Sequence, residues 1–285
     1  MRASSQLCLV VLGGVALAGA PPPKSPPPSP APASSPSPSW RAVAPGVDYA
    51  ELHDPAAPAD TVQVVRVDPA HATLRAVMAT AGDRRPRTAG AWCDDERLVA
   101  AINLGMYRDD HLSNVGYARS GSHVNQPRVS TEYQSALVFG PRRAGPPAVA
   151  LLDLDASGAR ERLGDYDTVV QNLRLIRAPG RSVWSAQPRR WSEAAVASDG
   201  AGRVLLVFLR APRAMSDFNR LLLALPLGVV AAMHVEGGPE ASLSLRGALH
   251  LDANGSYETG FVENDGERRQ WPIPNVLGVV ATSRR

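Results

Sequence analysis

The sequence predicts an α+β (mixed α/β) domain, a central mixed β-sheet carrying a few packed helices, and three observations lead there. Apolar, β-branched runs mostly about five to eight residues long recur along the chain, the usual strand range. Only two segments have helical spacing with caps. Strands do not alternate regularly with helices, as a doubly wound fold would require. With 285 residues, 44% of them apolar, the chain is long enough for a single domain with a sizeable core.

The first forty residues read as an address and a tether. Met1-Arg2 is a short positive start, residues 7–18 form an apolar run, and Ala18-Gly19-Ala20 fits a small-x-small cleavage pattern. Residues 1–20 therefore read as a secretory signal peptide, with an uncleaved anchor as the alternative, because the run is shorter than the ~20 residues of a membrane span. Residues 21–39, PPPKSPPPSPAPASSPSPS, have almost nothing to bury and read as a stiff, polyproline-II-like linker. The expectation is a secreted, periplasmic or cell-envelope protein whose folded domain, residues 40–285, is held close to a membrane or wall.

Charge and cysteine content narrow the classes. Lys and Arg total 30 against 27 Asp and Glu, but Arg2 and Lys24 precede Trp40 and no acid does, so the folded part is close to neutral. That balance argues against a protein that grips nucleic acid through its phosphates. Lys24 is the sole lysine; every other base is Arg, the side chain suited to planar contacts with phosphate or carboxylate. Cys8 and Cys93 are the only cysteines. Signal cleavage leaves Cys93 alone, beside Trp92, as a buried and inert thiol.

Strand-like runs fall at 61–67, 74–79, 98–102, 136–139, 149–154, 204–209, 229–235 and 276–281. Val62, Val64 and Val67 do not alternate cleanly, which predicts a strand covered on both faces. Ser198-Asp199-Gly200 predicts a hairpin turn between 194–197 and 204–208. Thr88 is placed to cap a helix through Asp95, and Ser216 to cap a helix over 217–225 with Phe218, Leu221, Leu222 and Leu225 on one face and Pro226 as its stop.

Chemistry concentrates in three stretches. In the first, Ala101-Ile102-Asn103-Leu104-Gly105-Met106-Tyr107, an apolar strand empties into a turn. Asn103 is its first polar side chain, able to meet a sugar hydroxyl, a phosphate oxygen or its own turn. The second, Gln187-Pro188-Arg189-Arg190-Trp191-Ser192-Glu193, reads either as a phosphate clamp with an aromatic ring or as an exposed loop with a local Arg–Glu pair. The third runs Ala232-Met233-His234-Val235-Glu236-Gly237-Gly238-Pro239-Glu240-Ala241-Ser242. His234 and Glu236 share one strand face as acid or base candidates, and two glycines let backbone approach a ligand. A lone His-x-Glu without Cys-x-x-Cys excludes a zinc deaminase, and neither metal nor cofactor is expected. Gln171-Asn172 either lines the pocket or satisfies sheet edges. Asp252, Asn254, Ser256 and Glu263 have calcium-loop spacing, but Tyr257 stands where such a loop needs Gly.

Asn-x-Gly-x-aromatic, an Arg-bearing loop before a hairpin, then acid-Gly-Gly before small residues: in that order these pieces resemble the phosphodiester glycosidase family, over roughly residues 40–281. The stretches 190–202, 232–243 and 255–260 look closest to a bacterial branch. Asn103, Gly105, Gly237, Gly238 and the acidity of Glu236 match the family's motifs, Tyr107 supplies the aromatic, and Glu240 and Ser242 fall in the run that follows. Leu104 and Pro239 stand where the family has glycine. The resemblance implies a hydrolase that frees a sugar from a sugar-1-phosphodiester or phosphorylated glycan. In it Glu236 steadies the oxocarbenium-like sugar, with His234 as a second catalytic candidate. Arg190 and the Gly237-Gly238 amides hold the phosphate, and Asn103 orients a hydroxyl or water. Two rival readings remain: a non-catalytic envelope module that binds phosphorylated polysaccharide, and an ordinary glycosidase using Glu236 and Glu240 as its carboxylate pair. The enzymatic reading requires the three stretches to meet in space, with Asn103, Arg190 and Glu236 converging on one cavity.

Overall fold

A computed structural model of the chain describes residues 37–256 and 269–282. Residues 1–20, most of the linker, Glu263 and all of the 255–260 stretch beyond Ser256 lie outside the described residues.

The predicted α+β class is corrected: the protein is mostly β. Among the described residues, 18 strands form three sheets in which every pairing is antiparallel, and there are two α-helices. The reading missed strands that carry polar residues, such as Val47–Asp54 and Leu251–Asn254. Half-solvated strands alternate polar with apolar residues and leave no continuous run to notice. A mixed sheet would also need long crossover connections between parallel strands.

The largest sheet has eight strands in the order Arg41–Ala44, Val47–Asp54, Ala57–Val67, Val204–Arg213, Trp191–Asp199, Val229–Gly237, Arg174–Arg177, Arg181–Ser182. Both of its faces are covered, as the valine pattern predicts. Val65 and Val67 enter the main core while Val62 and Val64 enter a second core on the opposite face. The expected hairpin joins Trp191–Asp199 to Val204–Arg213. Asp199 closes its turn, Oδ1 accepting the N–H groups of Ala201 and Arg203 at 2.9 Å each.

The main core lies where the three sheets meet. Val196, Phe208, Met233 and Val235 of the large sheet pack there with Ile102, Leu243 and Leu277 of a second sheet, Leu104 just beyond its strand end, and Leu137, Phe139 and Val170 of a third. The second core is capped by the helix Met215–Ala224, which seats Phe218, Leu221 and Leu222 against the large sheet. Ser216 does not cap it: the helix begins two residues earlier than expected, after Ala214, with no side-chain cap. Burying three large apolar side chains, each about 1.5–3 kcal/mol, stabilises the helix more than the ~1 kcal/mol that a cap would add. The other helix, Ala89–Glu96, is capped as predicted, Thr88 Oγ1 accepting from Ala91 N at 3.1 Å. It buries Cys93, whose thiol is pushed up to about 12 by desolvation.

Candidate functional site

The third stretch positions the site. Strand Val229–Gly237 lies inside the large sheet, between Trp191–Asp199 and Arg174–Arg177. Met233 and Val235 turn into the main core, so alternation sends His234 to the other face. The register with Trp191–Asp199 slips between Ala194 and Ala195, which pair with Glu236 and His234. Val235 is thus the extra residue of a bulge, a device that re-aims side chains at strand ends.

His234, Glu236 and Gly237 border a cavity of about 350 Å³. Gln187 and Arg189 add polar groups from the second stretch, and Met106 comes from the first. Trp184, Trp191, Leu173 and Met215 provide apolar wall. All three sequence stretches therefore contribute to one cavity, but of Asn103, Arg190 and Glu236 only Glu236 lines it, so the expected convergence of those three side chains is not observed. Gly237 is needed there: a Cβ would stand 2.6 Å from Cδ1 of the Trp191 ring, which packs flush against the backbone.

Glu236 is 8% exposed, and its Oε1 accepts the Gly237 N–H at 3.0 Å. The following residues turn away in a 3-10 helix, Gly238–Glu240, with Gly238 at φ +68° and Pro239 in the first turn. Proline costs little there, because the first N–H groups of a helix have no intrahelical partner. Leu104, the other departure from the family's glycines, is fully buried in the main core. Both substitutions therefore have a structural fit.

Asn103 ends strand Ala100–Asn103 and ties the first stretch to the third. Its Nδ2 donates to the Glu240 carbonyl at 3.0 Å, and its Oδ1 accepts from the Ser242 N–H at 2.8 Å and hydroxyl at 3.3 Å. The Tyr107 hydroxyl donates to Glu240 Oε1 at 3.4 Å. Burial and then the charges of Glu240 and Glu236 raise the Tyr107 phenol above its ordinary value near 10. Gly105 sits at φ +88°, where a Cβ would collide with Asn114 Oδ1. Asn103, Ser242, Glu240 and Tyr107 thus form a hydrogen-bonded cluster whose carboxylate and that of Glu236 both act on one phenol.

The second stretch divides. Arg189 borders the Glu236 cavity, whereas Arg190 lines a separate hollow of about 290 Å³ with Asp54, Arg213, Asp217 and Arg220. The one-residue offset is invisible in the sequence, where the two arginines are adjacent. Glu193 is not locally paired with an arginine. It is fully buried, with Oε2 2.9 Å from His234 Nδ1. Burial pushes its carboxyl up, and His234 partly offsets that. The overlooked signal was position: Glu193 alternates with Ala195 and Ala197 on a face that is otherwise apolar and buried. Gln171 satisfies loop backbone, bonding to Tyr117, Ser130 and Tyr133. Among the described residues no three His, Cys, Asp or Glu side chains come together as a metal site.

The antiparallel β scaffold is shared with solved structures. One is a hypothetical protein from Synechocystis, with TM-score 0.60 and 15% identity, covering 83% of this chain; the chain spans 62% of that protein's length. Another is the catalytic domain of zebrafish N-acetylglucosamine-1-phosphodiester alpha-N-acetylglucosaminidase, auto-inhibited by its pro-peptide. It has TM-score 0.58 and 12% identity, with coverage of 88% of this chain and 85% of that one. At such identities the likeness is one of fold. No curated protein matches the sequence significantly. The phosphodiester glycosidase family matches residues 96–280, a span that contains all three stretches of the site, and the chain belongs to that family.

Proposed function

We propose that this chain is an exported hydrolase that frees a sugar from a sugar-1-phosphate diester. The observation that carries the reading is the shared cavity, where the Glu236 carboxylate and the Arg189 guanidinium border one space beside indole rings. A diester of this kind needs a cation for its phosphate and an anion for its sugar. Breaking the bond between the anomeric carbon and the phosphate oxygen sends the electron pair to phosphate, an already stable leaving group. The ring carbon gains positive character, which Glu236 opposes. Arg189 takes the phosphate role that the sequence assigned to Arg190. Trp184 and Trp191 offer apolar surface to a sugar ring. Asn103 and Ser242 support rather than touch substrate, because they fasten the turn that carries Glu240. Water completes the reaction, giving free sugar and a phosphate monoester.

The test is hydrolysis of a panel of sugar-1-phosphate methyl diesters against the matching neutral methyl glycosides. Release of reducing sugar and phosphate monoester at least ~100-fold faster from the best diester is expected. Equal rates on neutral glycosides would favour the Glu236–Glu240 glycosidase reading. Tight binding of the diester without turnover would favour a binding module.

A further inference from the structure

We propose that Glu193 is a positioning residue for this site: it fixes the ring of His234 so that the imidazole Nε2 serves the cavity as the base for the attacking water. The inference rests on the reading above and names a residue that the sequence motifs leave out.

The geometry carries it. Glu193 is fully buried and His234 is 2% exposed, yet both are ionisable. Buried ionisable groups are costly unless paired, and these two are paired with each other at 2.9 Å through His234 Nδ1. The pair is not sealed inside the core, because His234 borders the cavity that also holds Glu236. With Nδ1 committed to Glu193, Nε2 is the ring nitrogen left to serve the cavity. His234 is also held from the backbone side, its N–H donating to the Leu173 carbonyl at 3.0 Å. The Trp191 ring stands edge-on to the imidazole, with centroids 6.5 Å apart, and limits its rotation.

Charged groups facing His234 come from three places. Glu193 is on the paired strand, Glu236 on its own strand, and Arg189 on the loop across the cavity. Leu173 and Met215, from the other elements that border the cavity, are apolar. In the step itself, water loses a proton to Nε2 while its oxygen bonds to the anomeric carbon. The bond from that carbon to the phosphate oxygen breaks with its electron pair on the phosphate. The ring, kept in place by the Nδ1 contact with Glu193, then returns the proton to the departing phosphate or to solvent.

The decisive variant is Glu193→Gln in the full chain, which keeps the shape and a hydrogen bond but removes the charge. Its carboxamide can turn an N–H toward Nδ1 and drive the ring proton to Nε2, the wrong tautomer for a base. Ring nitrogen chemical shifts of His234 should show the proton on Nδ1 in the wild type and largely on Nε2 in the variant. On a sugar-1-phosphate methyl diester, kcat should fall by about 10²–10⁴-fold with KM changed less than about threefold, and the acid limb of the pH profile should move or vanish. A role confined to stability would lower the melting temperature and leave tautomer and pH profile as they were, overturning the proposal. A wild-type ring protonated on Nε2 at neutral pH would overturn it equally. Failure of the wild type to hydrolyse any diester would sink the substrate reading instead, and the tautomer measurement would still decide whether Glu193 sets the ring.

Discussion

Replacing Glu236 by Gln removes one negative charge from the cavity while keeping the side chain's shape. The amide oxygen can still accept the Gly237 N–H that Oε1 accepts at 3.0 Å, so the strand end stays formed. What is lost is attraction to the cationic sugar carbon. Two unit charges about 4 Å apart at an effective dielectric near 20 attract by about 4 kcal/mol. A transition state with only part of a charge on the ring retains roughly two thirds of that or more. At 1.36 kcal/mol per tenfold, kcat on the best diester should fall by about 10²–10³-fold. KM should move less than about threefold, since the ground-state sugar is neutral. The assay is steady-state release of reducing sugar, with circular dichroism and melting temperature measured in parallel to show an intact fold. A kcat within threefold of wild type, from a variant that melts at the same temperature, would remove Glu236 from the chemistry.

The arginines give a paired prediction. Arg189→Ala should raise KM for diesters about 10- to 100-fold, the worth of charge-assisted hydrogen bonds to a phosphate, while Arg190→Ala should leave it within about threefold; the reverse ranking would return the phosphate to Arg190. Asn103→Ala leaves the buried Ser242 N–H and the Glu240 carbonyl without the partners they have at 2.8 and 3.0 Å. A cost of about 2 kcal/mol should lower the melting temperature by about 4–8 °C, and an unchanged melting temperature would show that the clamp contributes nothing. Acid should destabilise the domain. Asp83, held by the Arg87 guanidinium and the Arg85 N–H, titrates at about 2 in the folded chain. Asp54 is also lowered: burial opposes this, but the Ala56 N–H and Arg213 outweigh it. Such carboxyls bind protons more readily when unfolded, so their stabilisation is complete above about pH 4 and is lost as pH falls toward 2. Melting temperatures that hold constant from pH 4.5 to 2 would contradict this.

Much of the scaffold was legible where residues report directly on a local preference. The valines at 62, 64 and 67 announce a strand covered on both faces, and Thr88 marks the true start of its helix. Ser216 misled because the capping preference is a local rule, whereas the position of Met215–Ala224 is set by seating Phe218, Leu221 and Leu222 on the sheet. The fold class was misjudged because strands such as Val47–Asp54 intersperse polar residues among their apolar ones and leave no continuous apolar run. For the site, Asn103, Glu236 and the glycines were visible as polar or flexible residues at the ends of apolar runs.

Taken alone, then, the chain's sequence determines where strands stop, which polar side chains stand at those stops, and the family to which the motifs point. Only the folded structure decides that Arg189 rather than Arg190 reaches the cavity, that Asn103 holds a turn, and that Glu193 is buried against His234. The reason is physical. Strand ends and turn residues follow from nearest-neighbour preferences along the backbone, but which of two adjacent side chains faces a cavity is fixed by strand register, by the bulge at Val235 and by packing between segments more than forty residues apart in the chain.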